Sequence, residues 1–137
     1  MKIILDTNVV FSALRSKRGA SYAILKSVIE SDDIITCVSV ALLFEYESVL
    51  KRTHDQEFID QFLRSFLDYS QTTIISYQYR PTGTDENDEL VLEAAINAAA
   101  DYIVTHNVKD FSNSEAFGVS IIKPQKFLEI LKRRRLR

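Results

Sequence analysis

Tryptophan is absent from this 137-residue chain, cysteine occurs once, histidine and proline twice each, and glycine three times. Each scarcity excludes something. A single cysteine, Cys37, cannot form an internal disulfide, which is compatible with a reducing, cytoplasmic setting. It sits in the apolar run IITCVSV and reads as a small buried hydrophobe. Two histidines, His54 and His106, are too few and too scattered for a His-rich zinc site. So little glycine and proline leaves no linker, repeat or low-complexity tract, so one domain spanning residues 1–137 is expected. No run approaches the roughly 20 apolar residues of a membrane helix. The first apolar stretch is cut at Asp6, which makes it no signal peptide. Excess charge of one sign is lacking too: the formal net charge is -2, so no overall basic field advertises a polyanion, although a local patch would suffice.

What is present is an alternation of strand-like and helix-like segments. Lys2–Leu5 is a short β-branched run, and helical patterns follow at Val9–Leu14 and Ala20–Glu30. Ile34–Val38 reads as a second strand, and Ser39 can cap a helix over Val40–Arg52. A helix over Gln56–Tyr69 is expected to turn Phe58, Phe62, Phe66 and Leu67 inward. Thr73–Tyr77 reads as a third strand, Tyr102–Thr105 as a fourth and Val119–Ile122 as a fifth. The turn-rich RPTGTDEND precedes an Ala-rich helix near Glu86–Ala100, and Pro124 opens a closing helix. The alternation predicts an α/β fold, a three-layer α/β/α sandwich around a mostly parallel sheet of about five strands.

In such sheets sites form at the carboxyl ends of the strands. Asp6 lies there, in IILDTNVV, where an acid between two apolar segments is costly to bury without a partner. A second acid lies in ALLFEYESVL. Ala41, Leu42, Ser48 and Val49 make the face around Glu45 small and apolar, but Glu47 is close enough that spacing prefers Glu45 only weakly. The third group is TDENDELVLEAA, whose acids also suit a helix N-terminus, worth roughly 0.3–1 kcal/mol each. Helical spacing puts Glu89, Glu93 and Asn97 on a solvent-like face, and Asp85, Asp88, Leu92 and Ala95 on the inward one. Asp88 is then the inward acid, with Asp85 as helper or cap. The fourth group is YIVTHNVKDF, where Asn107 and Asp110 follow a strand ending in Thr105; loops and helix caps use the same residue types.

In this order the four segments resemble the PIN domain family, and more narrowly the VapC-like toxin ribonucleases of bacterial toxin–antitoxin pairs. The likeness runs from Lys2 to about Phe127. It implies a metal-dependent endoribonuclease whose first three acids are Asp6, Glu45 and Asp88, and it selects Glu45 over Glu47. Thr7, Asn8 and Thr105 match supporting polar positions. Where the family often has a further Asp this chain has Asn107, with Asp110 three residues on to supply charge. The resemblance also implies an RNA substrate, a small antitoxin protein as partner and a homo-oligomer, most simply a dimer.

Elementary chemistry agrees with that set. Crowded carboxylates stay ionised together only if cations neutralise them, and an all-oxygen set suits one or two Mg²⁺ or Mn²⁺ ions. Such ions would activate water for in-line attack on a phosphodiester. Arg15, Lys17 and Arg18, in the loop after the first helix, are candidates for holding RNA phosphates, or simply a solvated surface loop. The tail, with Lys132, Arg133, Arg134, Arg135 and Arg137, is more strongly basic and is open to RNA, a partner chain or neither. A phosphatase of the haloacid dehalogenase type would need Asp-x-Asp, and Asn8 cannot act as its general acid. A PIN-like module that binds RNA or protein without cutting remains the alternative, supported by Asn107 and opposed by the retention of Asp6, Glu45 and Asp88.

Overall fold

The β-branched run at the N-terminus forms the middle strand of the sheet, and the remaining elements are arranged around it. In the computed structural model, which describes residues 1–76 and 86–135 apart from the side chains of residues 86–87, 112–116 and 135, strands are separated by one or two helical elements. They are β1 (Lys2–Leu5), α1 (Thr7–Arg15), α2 (Ala20–Glu30), β2 (Ile35–Val38), α3 (Val40–Leu50), α4 (Gln56–Asp68) and β3 (Ser70–Thr72). There follow α5 (Glu86–Ala98), β4 (Tyr102–Val104), a run of 3₁₀ turns over Val108–Phe117, β5 (Ser120–Ile122) and α6 (Pro124–Arg135). The five strands form one wholly parallel sheet in the order β3-β2-β1-β4-β5, flanked by the helices. The expected α/β architecture is therefore present, and every strand pairing among the described residues is parallel.

Parallel sheets need cover on both faces, so their strands read as continuous apolar runs. Ile3 and Ile4 are fully buried and Leu5 nearly so. α5 packs across β1, β2 and β4, and α1 packs on α2 and α3. The chain leaves β1 toward β2 and β3, then returns on the other side through β4 and β5. The carboxyl ends of β1 and β4 thus flank the point where the connections diverge, the usual place for a site in an open α/β sheet.

Among the described residues, three helices start on side-chain caps that satisfy exposed N–H groups. Asp6 accepts from the Thr7 N–H, Ser39 from the Leu42 N–H and Asp55 from the Phe58 N–H. On α4 the inward residues are Ile59 and Phe66, while Phe58 and Leu67 are exposed, so the helix is rotated from the expected aromatic stripe. His54 stacks on the displaced Phe58 ring at 4.6 Å, covering it from outside the core.

The third strand also differs from expectation. β3 is the polar SQT, not the apolar stretch beginning at Thr73, and Ile74 is 85% exposed. Hydroxyl pairing helps set this register: Ser70 Oγ lies 2.6 Å from Thr36 Oγ1 and also donates to the Phe66 carbonyl. The ladder reaches only one bond further, from the Thr73 N–H to the Val38 carbonyl. A three-residue polar edge is a common way to blunt a sheet edge. The end of the expected strand, Tyr77, lies outside the described residues.

Tyr46 ties α3 to the central strand. It is fully buried, its ring meets Phe66 edge-on at 5.8 Å, and its hydroxyl donates to the Leu5 carbonyl beside Asp6. Burial, followed by the nearby Asp6 and Cys37 groups, pushes the phenol well above its ordinary pKa, so it stays protonated as a donor. Tyr46→Phe should cost about 1–3 kcal/mol by removing that donor from a buried carbonyl, read as a lower urea midpoint with an unchanged slope.

Candidate active site

Asp6 occupies two structures at once. Its N–H donates to the Val104 carbonyl at 2.9 Å, continuing the β1–β4 ladder, while its side chain caps α1. The residue is only 7% exposed. Oδ1 accepts from the Thr7 N–H at 2.7 Å, and Oδ2 accepts from the Thr105 hydroxyl at 2.6 Å. Thr105, fully buried just past β4, in turn accepts from the Asn107 N–H at 3.0 Å. The ends of two neighbouring strands thus hold both oxygens of one carboxylate.

Burial raises the Asp6 pKa above the ordinary 3.8, opposed by the bonds from Thr105 and Thr7; the charge of Asp110 raises it further and His106 lowers it. The His106 N–H lies 3.4 Å from Asn8 Oδ1, joining the segment after β4 to the start of α1. Thr7 Oγ1 is buried with no hydrogen-bond partner among the described residues.

These groups open onto a cleft of about 350 Å³. Asp6, Thr7 and Asn8 line it from the start of α1, Glu45 from α3, Asp88 from α5, and Asn107 and Asp110 from the segment after β4. Four separate parts of the chain therefore bring four carboxylates and two amides to one concavity. Glu47 is turned elsewhere: it lies 3.7 Å from Lys51 and accepts from Gln56. Asp85 lies outside the described residues.

The phase of α5 departs from the sequence reading in one respect. Asp88 lines the cleft, but the face carrying Glu89 and Glu93 is not solvent-like: both are buried, at 8% and 3% exposure, and neither lacks a partner. Val91, Leu92, Ala94 and Ala95 are buried as well, so the middle of α5 is enclosed all round. Asn97, further along that face, accepts from the Ser76 N–H and donates to the Glu93 carbonyl.

Two lining residues escaped the sequence reading, Phe11 and Arg52, while Val49, read there on the face of Glu45, lines the cleft with it. Val49 and Arg52 stand four and seven residues after Glu45, the spacing of one helical stripe, and that periodicity was the available signal. Arg15, at the end of α1, and Lys17 and Arg18, on the loop beyond it, are exposed and do not line the cleft, although Arg15 lies over the Phe11 ring.

The donor chemistry fits a hard divalent cation: carboxylates, amides and a hydroxyl, with no cysteine or histidine lining the cleft among the described residues. The positions do not form a closed cage. Among the described residues no three acidic, His or Cys side chains are grouped closely enough to hold an ion as they stand.

Fold and site define a class: a wholly parallel α/β protein with an acidic cleft where its sheet connections diverge. The chain belongs to the PIN domain family, whose model matches residues 2–109. Its fold is similar to that of a chain in the structure of VapBC2 from Rickettsia felis bound to a DNA fragment from their promoter. That likeness has a TM-score of 0.64 at 19% identity, covering 90% of this chain and 98% of that one. It is likewise similar to a chain of VapBC-1 from nontypeable Haemophilus influenzae, with a TM-score of 0.64 at 16% identity and coverage of 91% and 99%. No curated protein matches the sequence.

The raised pKa of Asp6 has a consequence for stability. A carboxyl with a higher pKa folded than unfolded favours the folded state at low pH, and that contribution is lost as pH rises through the folded value. Asp6→Asn removes the buried charge. It can keep both contacts, with Oδ1 accepting from Thr7 and Nδ2 donating to Thr105 Oγ1. In EDTA the variant should melt a few degrees above the unsubstituted protein at pH 8, the gap closing toward the ordinary carboxylate range. Scanning calorimetry across that range checks it; a lower melting temperature at pH 8 would show that the lost ionic hydrogen bonds outweigh the relief of burial.

Proposed function

We propose that this chain is a Mg²⁺- or Mn²⁺-dependent endoribonuclease, the toxin component of a toxin–antitoxin pair acting in the cytoplasm. The observation that carries the reading is the buried carboxylate of Asp6 sharing one cleft with Glu45, Asp88 and Asp110 on a PIN-family fold. The VapBC names of the two similar structures support the antitoxin partner. Among the described residues no helix is long and apolar enough to cross a membrane.

In this reading Asp6, Glu45, Asp88 and Asp110 hold one or two ions. When bound, the metal supplies positive charge for the phosphodiester and lowers the pKa of attacking water. The chain's own residues do the rest. Thr105 and the Thr7 N–H fix the rotamer of Asp6, and each Asp6 oxygen keeps lone-pair capacity for a further ligand. Glu45, half-buried on α3, would take up the proton of the attacking water through the carboxylate oxygen that it does not give to an ion. Asn8 and Asn107 orient polar groups of the substrate at the mouth.

End-labelled RNA incubated with the protein should be cut internally with Mg²⁺ and left intact with EDTA. Asp6→Asn, Glu45→Gln and Asp88→Asn should each lower the rate by about 100-fold or more, whereas Glu47→Gln should stay close to the unsubstituted rate. Asn107, a neutral amide where an acid would add charge, favours a second reading, a module that binds RNA or protein without cutting. RNA binding with no Mg²⁺-dependent cleavage would select it.

Asn107 and Asp110 can be separated by calorimetric titration of Mn²⁺. Asp110→Asn should weaken binding by about 10-fold and Asn107→Asp should tighten it. Non-additivity in the double variant would mean that both side chains act on one ion. Unchanged binding in Asp110→Asn would remove Asp110 from the ligand set.

A further inference from the structure

An acidic cleft repels the polyanion it is proposed to cut, so the substrate needs positive charge beside the acids. One cation among the described residues lines the cleft: Arg52, in the turn that follows α3. Its N–H donates to the Val49 carbonyl at 3.2 Å, and Leu50 beside it is buried, which anchors the turn. The side chain is exposed, and no ion pair involves it among the described residues.

A second element meets the same cleft. Phe11 lines it from α1, and the guanidinium of Arg15, one turn later, lies 5.3 Å from the centre of its ring. Arg15 is the last residue of α1, Arg52 lies just beyond α3, and the two helices pack against each other. An aromatic ring and an arginine on the cleft wall, with a second arginine over that ring, combine the two components that hold single-stranded nucleic acid: cations for phosphates and a platform for a base.

Resting on the ribonuclease reading, we infer that Arg52 and the Phe11–Arg15 pair form the track that positions single-stranded RNA over the acidic cleft. Arg52 grips a phosphate with its planar fork, and Phe11 stacks on a base with Arg15 behind it. These are positioning residues: the phosphate contacts set register, and the chemistry stays with the carboxylates.

The test uses fluorescence anisotropy of a labelled oligouridylate with Mg²⁺ in the Asp6→Asn background, together with cleavage kinetics in the otherwise unsubstituted protein. Arg52→Ala should weaken binding by about 10-fold and raise KM by a similar factor with kcat little changed. It should also reduce the slope of log affinity against log salt by about one. Arg52→Lys should restore that slope but only part of the affinity, because it keeps the charge without the fork. Phe11→Leu, which keeps an apolar side chain but removes the ring face, should weaken binding by about 5-fold with the salt slope unchanged. Lys126→Ala, on α6, should behave as the unsubstituted protein, and urea midpoints should be alike throughout. If the unsubstituted protein cuts RNA while Arg52→Ala keeps its KM and salt slope, the track is wrong and the nuclease reading stands. A loss confined to kcat would move Arg52 into the chemistry and overturn the positioning role. A protein that neither binds nor cuts RNA overturns both.

Discussion

The carboxylate of Asp6 is withdrawn from water at the divergence point of the sheet, and much of the surrounding structure serves to make that tolerable. A buried carboxylate without partners would cost several kcal/mol. Here each oxygen has a donor, one from the first turn of α1 and one from Thr105 past the adjacent strand β4. Thr105 can donate there only because β4 pairs with β1 in a register that sets Val104 beside Leu5. The Asn107 N–H occupies the hydroxyl's acceptor side. Below, Tyr46 holds the Leu5 carbonyl, so the strand end carrying Asp6 is fixed from a third direction. Sheet register, helix capping and one buried phenol all act on a single acid.

The same arrangement makes the cleft electrostatically expensive. Asp110 raises the energy of the Asp6 charge, His106 relieves it, and Glu45 and Asp88 open onto the same space. With no three acids grouped into a ready cage among the described residues, the carboxylates stay apart, which limits their repulsion. A divalent cation would draw such a set together. Arg52 contributes positive charge at the same cleft from a helix end, where the side chain retains contact with water.

Much of this was legible in the residue order because local rules and the fold agree. The apolar run ahead of Asp6 and the Ser39 cap mark elements whose boundaries the structure keeps within about two residues. The failures arose where long-range contacts overrule local preference. β3 formed at SQT, where Ser70 meets the Thr36 hydroxyl across 34 positions, and among the described residues Ile74 and Ile75 lie beyond its end. On α4 the aromatic count pointed to Phe58, yet Ile59 took the core position and Phe58 went to His54.

By itself the sequence determined the α/β alternation, the place of Asp6 after the first strand and the ordered motifs that carry the PIN resemblance. These depend on periodicity, capping and residue type, which are properties of neighbours along the chain. Only the tertiary structure decided that Glu89 and Glu93 are enclosed, that Glu47 turns to Lys51, and that Arg52 and Phe11 join the cleft wall. Those outcomes depend on how helices rotate and pack against a sheet. An enclosed helix has no polar side from which its phase could be read beforehand.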